Sequence, residues 1–138
     1  MVNHKPIVPG HCLVVSRRVA ARVSDLNPSE LSDLWTVACL VSKHLERHFK
    51  AEALTFAIQD GSAAGQTVPH VHIHILPRRN GDFEVNDLVY EELNKEDLSR
   101  TVPVDAKKNR EPRSSHEMAE EASALRILFE DSLPIPVE

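Results

Sequence analysis

The sequence predicts an α+β domain in which a long helix and a C-terminal helix pack on an antiparallel β-sheet. Three short segments are rich in β-branched residues or alternate in polarity, which is typical of strands. Two longer segments repeat their apolar residues at helical spacing. The order is strand, helix, strand, loop, strand, helix. A chain of 138 residues, 41% of them hydrophobic, suffices for one domain that spans residues 1–138.

The first strand and the long helix come first. Gly10 precedes the β-branched run 11–16, which predicts a strand. Asn27 as N-cap, Pro28 at the first helical position and Glu30 in the first turn predict the helix start. Its apolar stripe, including a tryptophan that we interpret as a core residue, faces the core. The stripe consists of Leu31, Leu34, Trp35, Ala38, Val41, Leu45 and Phe49.

Two further strands follow. Residues 53–59 predict the second, and residues 69–76 the third. Pro69 is acceptable as the first residue of a strand, and Pro77 is expected to end it. The loop between them contains glycines that permit tight turns.

The second half of the chain is less regular. Residues 87–94 predict a helical turn or two, and residues 99–114 predict a mobile surface loop because they are rich in charge and proline. Ser114 and Glu117 match a capping box. We expect residues 132–138 to form a flexible tail. The stripe of the final helix is Met118, Ala122, Leu125 and Phe129.

Composition excludes several classes of protein. A formal charge of −5 argues against a nucleic-acid binder, which normally carries a basic stripe. No apolar stretch approaches the ~20 residues that span a membrane. Cys12 and Cys39 are too few for a disulfide framework, and we interpret both as buried small residues in a reducing compartment. We expect a cytoplasmic protein, with the nucleus as a second compartment.

The histidine run from 70 to 76 is the most informative segment. Strand alternation predicts that His70, His72 and His74 share one face, while the intervening apolar residues face the core. One interpretation is a metal site, because histidine is the commonest metal ligand. However, the outer two histidines are about 13 Å apart at Cα, so all three cannot easily converge on one ion, although two of them could do so with a third ligand such as His11. No carboxylate or cysteine lies nearby at a recognisable ligand spacing.

The favoured interpretation is nucleophilic catalysis. A neutral imidazole attacks phosphorus, and flanking imidazoles hold its tautomer, donate to phosphate oxygens or move the departing proton. The preceding loop suits an anion, because Gly61 and Gly65 allow tight turns and N–H groups of residues 65–68 form an anion cradle. Simple turn chemistry also explains these glycines.

Residues 70–76 satisfy the pattern His-φ-His-φ-His-φ-φ, with φ apolar, and so resemble the histidine triad superfamily. The third histidine implies hydrolysis, since the transferase branch has glutamine there. Residues 59–69, 76–83 and 90–93 are similar to the fragile-histidine-triad branch. The resemblance implies the histidine-triad fold, a homodimer, and cleavage of a dinucleoside polyphosphate, diadenosine triphosphate, to AMP and ADP.

The resemblance also implies residue roles. His72 matches the nucleophile that becomes nucleotidylated, and His74 matches the histidine that contacts the α-phosphate. His70 and His11 match supporting histidines, and Asn3 matches a ribose-binding asparagine. No protein-bound cofactor or metal is implied, and Mg²⁺ or Mn²⁺ is expected only in complex with the substrate phosphates. The positions that match phosphate-binding residues are Gln59, Gly65, Gln66, Thr67 and Val68.

Two alternatives accompany this assignment. The first is a nucleotide-binding signalling or scaffold protein in which turnover is secondary, and the second is a metal-dependent hydrolase. Family members also carry a longer segment before the residue matched by Asn3, with strands that help to wall the base pocket. For a chain that starts at Met1 we expect weaker nucleoside binding.

Overall fold

The computed structural model describes residues 1–98 and 111–130, and its architecture is α+β, as predicted. The predicted mobile loop therefore lies outside the described residues except for 111–114, and the predicted tail lies entirely outside them. Short 3₁₀ turns occupy Val23–Asp25, Ser62–Ala64 and Ile127–Phe129. The main elements are β1 (Cys12–Val15), α1 (Pro28–His48), β2 (Ala53–Ala57), β3 (His72–Arg78), α2 (Leu88–Leu98) and α3 (Ser115–Arg126).

The sheet has the order β1-β3-β2, with both pairings antiparallel. The central strand is therefore β3, the strand that carries two of the three alternating histidines. His74 lies opposite Leu13 on one side and Ala57 on the other. Because β3 is paired along both edges, the direction of each of its side chains is fixed by the register.

The predicted bounds of the third strand are wrong at both ends. Pro69 and His70 lie in a bend before β3, and Pro77 lies within the strand. Proline is tolerated because its nitrogen faces the side of β1. The N–H of Ser16 bonds to the carbonyl of Val71 on that side, and alternate residues of β3 face the same way. The pairing with β1 ends at Ile75, so β1 has no carbonyl opposite Pro77 that needs a backbone N–H donor. The second strand also ends early, at residue 57 instead of 59.

One face of the sheet packs on α1 and forms the main core. Leu34, Ala38 and Leu45 of α1 are buried, together with Ile73 and Ile75 of β3. The predicted cap is present, since the Asn27 side chain accepts the Glu30 N–H and the Glu30 side chain accepts the Asn27 N–H. The stripe prediction is thus confirmed for its central residues.

Trp35 is the exception in that stripe. It is 38% exposed, and its ring packs 6.0 Å from that of Phe56 at the margin of the core. Its sequence neighbour Leu34 takes the inward position, and consecutive residues on a helix point about 100° apart. The interpretation of Trp35 as a core residue is therefore wrong.

The opposite face of β3, which we call the histidine face, carries His72, His74, Leu76 and Arg78. Helix α2 covers part of it and is longer than the predicted turn or two. Its anchors are Val89 and Leu93, which form a second buried cluster with Val8 and Leu76. Three half-buried apolar residues pack against this cluster, namely Ile7, Ala57 and Phe83. The histidines consequently lie beside an apolar wall.

The N-terminal segment is held from two directions. Met1 pairs with the outer edge of β1, exchanging hydrogen bonds with Leu13 at 2.8 and 2.7 Å. Arg113, just before α3, donates to the carbonyl of Asn3 and pairs with Glu121, while its backbone N–H donates to the His4 carbonyl at 2.9 Å. Residues that are far apart in sequence therefore fix the segment that carries Asn3.

The two cysteines differ. Burial raises the pKa of the Cys12 thiol to about 11, as expected for a small core residue. Cys39 is exposed on α1, so the prediction that it is buried is wrong. Within residues 1–98 and 111–130, none of the helices combines the length and apolar character needed to cross a bilayer.

We expect Ile73→Ala to destabilise the fold by about 2–5 kcal/mol, since Ile73 is 0% exposed at the centre of the sheet and truncation leaves a cavity. Urea unfolding measures the change. Val19→Ala is the control, because Val19 is 71% exposed and should alter stability by less than ~0.5 kcal/mol. Equal losses in the two variants would contradict the assignment of this core.

Candidate active site

His72 opens β3 and is half-buried on the histidine face. Its Nδ1 lies 2.7 Å from the backbone carbonyl oxygen of His70. A carbonyl only accepts hydrogen bonds, so Nδ1 must carry the proton. In the neutral ring this leaves the lone pair on Nε2, which is the requirement for a nucleophilic nitrogen.

His74 lies behind His72, with 3% of its surface exposed and its ring 4.9 Å from the ring of His72. Its Nδ1 is 2.9 Å from Nε2 of His11, which is also buried. The β1–β3 pairing therefore brings together the two histidines that are most distant in sequence. His11 thus contacts His74, and its supporting role in catalysis stays a prediction.

Backbone contacts determine where the protons lie in this pair. The N–H of Ile7 donates to Nδ1 of His11 at 3.2 Å, which places the proton of a neutral His11 on Nε2. That N–H donates to Nδ1 of His74, so the proton of a neutral His74 lies on Nε2. His74 Nε2 is buried and has no hydrogen-bond partner. A buried unpaired donor is costly and suits an anionic acceptor.

His74 is neutral at physiological pH. Burial, with a smaller contribution from neighbouring His72, lowers the pKa of His74 from 6.5 to about 4. The group therefore acts as a hydrogen-bond donor through Nε2 without carrying a positive charge.

His70 does not share the histidine face, and this part of the strand prediction is wrong. It lies in the bend before β3, where its Nε2 donates to the carbonyl of Ser16 at 2.6 Å. The contribution of His70 to His72 comes from its backbone oxygen. The bend, which turns that carbonyl toward the ring of His72, explains why alternation fails at this position.

Asn3 is buried beside His11. Its side-chain oxygen accepts the N–H of Lys5 at 3.0 Å, and its amide nitrogen lies 3.2 and 3.0 Å from the two ring nitrogens of His11. Similar distances to both nitrogens place the amide over the face of the ring. The ribose-binding role of Asn3 stays a prediction, and in the structure its amide packs on a candidate catalytic histidine.

Two of the four backbone N–H groups predicted to bind an anion are not available for it. The N–H of Gly65 donates to the Ser62 carbonyl, and the N–H of Gln66 donates to the Gly61 carbonyl. These two hydrogen bonds close a turn that ends at Gly65, whose backbone is left-handed with φ 88°. The Gln66 side chain also braces this turn, since it accepts the Gly61 N–H at 2.8 Å and donates to Ala21 at 2.9 Å. Thr67 and Val68, the remaining members, are exposed.

Gln59 lies between this turn and the histidines. It follows Ala57, the register partner of His74, by two positions and lies just beyond the end of β2. Its amide donates to Asn94 of α2 over a long 3.4 Å contact. The phosphate-binding role of Gln59 stays a prediction.

Sequence reasoning missed the contributions of the backbone and of Asn94. The Ile7 N–H and the His70 carbonyl fix the imidazole tautomers, and a backbone group leaves no signature in residue identity. Asn94 follows the apolar anchor Leu93, but nothing in the sequence indicates that it reaches Gln59. In the described parts of the chain no cluster of three histidine, cysteine or acidic side chains is arranged to hold a metal ion.

The fold and the four-histidine arrangement are those of a histidine-triad domain. The HIT domain family model matches residues 1–81, and this chain belongs to the histidine triad (HIT) family. A bis(5'-adenosyl)-triphosphatase from Dictyostelium discoideum is 50% identical over 132 residues, covering 96% of this chain and 80% of the relative. The bifunctional bis(5'-adenosyl)-triphosphatase/adenylylsulfatase FHIT from Arabidopsis thaliana is 52% identical over 130 residues, covering 94% and 72%.

Solved structures agree with this placement. The NitFhit protein of C. elegans matches with a TM-score of 0.70 and 43% identity, over 93% of this chain and 24% of that longer protein. The diadenosine triphosphate hydrolase of Plasmodium falciparum, solved with cyclomarin A, matches with a TM-score of 0.58 and 35% identity, over 73% and 70%. The chain is an enzyme of the hydrolase class within the family.

We expect the stability of the fold to decrease as pH falls from about 6.5 toward about 4. Over that range His74 takes up a proton in the unfolded protein but not in the folded protein, so a fall in pH favours unfolding. The difference in pKa corresponds to an effect on the order of 3 kcal/mol. Urea unfolding of the wild type and of His74→Gln at pH 7 and 4.5 measures it.

The variant His74→Gln should lose less stability on acidification than the wild type, because glutamine does not titrate. His116→Gln, at an exposed position on α3, is the control and should retain the wild-type pH dependence. The same pH dependence in all three proteins would contradict a depressed pKa at His74.

Proposed function

We propose that this protein hydrolyses diadenosine triphosphate to AMP and ADP through a covalent nucleotidyl-histidine at His72. The observation that carries the proposal is the 2.7 Å hydrogen bond from His72 Nδ1 to the His70 carbonyl, which leaves Nε2 as the free nucleophile. The names of the similar proteins from Dictyostelium and Arabidopsis support the choice of substrate.

In the first step the lone pair of His72 Nε2 attacks the α-phosphorus. A bond forms between nitrogen and phosphorus, the bond from phosphorus to the bridging oxygen breaks, and ADP leaves with the electron pair. His72 then carries the nucleotidyl group on Nε2 and a proton on Nδ1, so its ring is cationic. The carbonyl of His70 accepts that proton's hydrogen bond and stabilises the developing positive charge.

His74 supplies a donor where negative charge develops. The Nε2–H is buried and unpaired, and the contacts that run from Ile7 through His11 hold it in that tautomer. We assign it to an oxygen of the α-phosphate, because a preorganised donor stabilises the transition state without reorganisation. Asn3 and the ring of His11 pack together and support this geometry.

In the second step water attacks the same phosphorus. The nitrogen–phosphorus bond breaks, its electron pair returns to His72 Nε2, and AMP leaves with the oxygen of water. Both protons of that water are released, because AMP is a dianion above its second phosphate pKa of about 6. We propose that Mg²⁺ or Mn²⁺ enters as a complex with the substrate phosphates, and that no cofactor resides in the protein.

We further propose that the enzyme is a homodimer joined along the outer edge of β2. Among the described residues β2 pairs with β3 alone, and an unpaired strand edge is a template for association. The exposed Trp35 of α1 packs beside Phe56 of β2 and adds apolar surface near this edge. We place the protein in the cytoplasm, since Cys12 and Cys39 are free thiols, as is typical of a reducing compartment.

We expect His72→Ala to abolish turnover of diadenosine triphosphate, because the nucleophile is removed while the strand remains. Rapid quenching with substrate labelled at the α-phosphate should trap label on the wild type and none on the variant. His116→Ala is the matched control at an exposed position and should label normally. Near-normal turnover by His72→Ala would refute the covalent mechanism.

Hydrolysis in ¹⁸O-labelled water locates the phosphorus that is attacked. We expect the heavy oxygen to appear in AMP and not in ADP, because water releases the nucleotidyl group from His72. Label in ADP would show attack at the β-phosphorus and would overturn the assigned geometry.

We expect Trp35→Glu to shift the protein toward monomers, since a charge at the edge of β2 opposes association. Light scattering after size exclusion measures the mass. The control is Trp35→Phe, which keeps the apolar surface and should remain dimeric. A monomeric wild type, or an unchanged mass in Trp35→Glu, would refute the location of this interface.

A further inference from the structure

We propose that a cavity between residues 62–67 and Asn94 receives the second nucleoside of the substrate, and that Asn94 is a specificity-determining residue. This inference rests on the function proposed above. The cavity has a volume of about 410 Å³ and is lined by the turn before the histidine run and by the Asn94 side chain. That volume lies within the range typical of small-molecule sites.

The cavity lies next to the candidate catalytic centre through Gln59. Gln59 lies two positions beyond Ala57, the residue of β2 that pairs with His74, and its amide contacts Asn94 in the cavity wall. His11 and Asn3 lie on the other side of β3, where β1 pairs with it. A dinucleotide whose scissile phosphorus lies at His72 therefore has one nucleoside toward β1 and the other toward this cavity.

The chemistry of the lining favours a nucleoside over phosphate. Its side chains are small, amide or hydroxyl groups, and none is charged. A polyphosphate chain normally requires cationic groups or unpaired N–H donors, and the Gly65 and Gln66 N–H groups are already bonded within the turn. Amide and hydroxyl groups are suited to the edge of a base or to a ribose.

The walls of the cavity are held in place. Val89 and Leu93 anchor α2 on Leu76 of β3, which positions Asn94 directly after the second anchor. The turn is braced by the Gln66 side chain. By contrast, the contact from Gln59 to Asn94 is long, at 3.4 Å, so a ligand group can replace it at little cost.

The test compares two substrates that share the reacting phosphorus. One is diadenosine triphosphate, and the other is the p-nitrophenyl ester of AMP, which has no second nucleoside. Asn94→Leu removes the amide, and Ala64→Trp places a large ring in the cavity wall. Asn86→Leu, an equally exposed asparagine outside this cavity, is the matched control.

We expect both cavity variants to lower kcat/KM for diadenosine triphosphate by about tenfold or more while changing the ester by less than about twofold. Asn86→Leu should leave both substrates unchanged. Thermal unfolding of each variant within a few degrees of the wild type shows that the fold is retained.

Other outcomes overturn the inference. An equal loss for both substrates in Asn94→Leu would show that Asn94 acts on the catalytic centre through Gln59. Unchanged kinetics for both substrates in both variants would show that the cavity is not used. A wild-type protein that cleaves neither substrate would refute the proposed hydrolysis itself, and the ester therefore separates the two failures.

Discussion

The pairing of β3 with a strand on each side is the constraint on which the rest of the site depends. It fixes His74 between Leu13 and Ala57 and brings His11 to hydrogen-bonding distance of His74. The opposite side chains of the same strand, Ile73 and Ile75, are buried against α1. One strand thus contributes buried residues to the core and histidines to the candidate active site. A shift of its register would therefore disrupt the core packing and the active site together.

Four arginines among the described residues form ion pairs that support the fold. Arg18 pairs with Glu30, Arg22 with Asp60, Arg78 with Asp82 and Arg113 with Glu121. Three of these pairs join different segments, while Arg78 and Asp82 are only four positions apart, and in each pair a carboxylate neutralises the arginine charge. The candidate site meets a different requirement, because in the proposed reaction His74, whose pKa is lowered by burial, holds a polyanion without carrying a positive charge. Directed N–H groups in a water-poor setting meet that requirement, since hydrogen bonds to charged acceptors strengthen where the dielectric is low.

Features that depend on residue type and spacing were predictable from the sequence. The caps at Asn27 and Ser114 follow from side-chain chemistry within a few residues, and both are present. The α+β architecture and the inward stripe of α1 follow from periodicity. The family resemblance, which rests on residues 70–76, agrees with the HIT domain match.

Features that depend on tertiary contacts were not predictable. Whether Pro77 ends a strand depends on where the neighbouring strand β1 ends. Whether His70 contacts His72 through its ring or through its backbone carbonyl depends on the bend before β3. The hydrogen bond from the His70 ring to the Ser16 carbonyl stabilises that bend. The exposure of Trp35 and Cys39 depends on which part of α1 the sheet covers. The tautomers of His11 and His74 depend on a backbone N–H, which is common to every residue except proline.

The clamp formed by Arg113 has a consequence for the order of assembly during synthesis. Its guanidinium holds the carbonyl of Asn3 across 110 positions of sequence, and its backbone N–H holds the adjacent carbonyl of His4. Contacts of such high sequence separation form late in folding. While the chain is being made on the ribosome, the strands and α1 emerge well before Arg113. The clamp can therefore close only after Arg113 has been synthesised, and only then is the segment that carries Asn3 and His4 fixed from this direction.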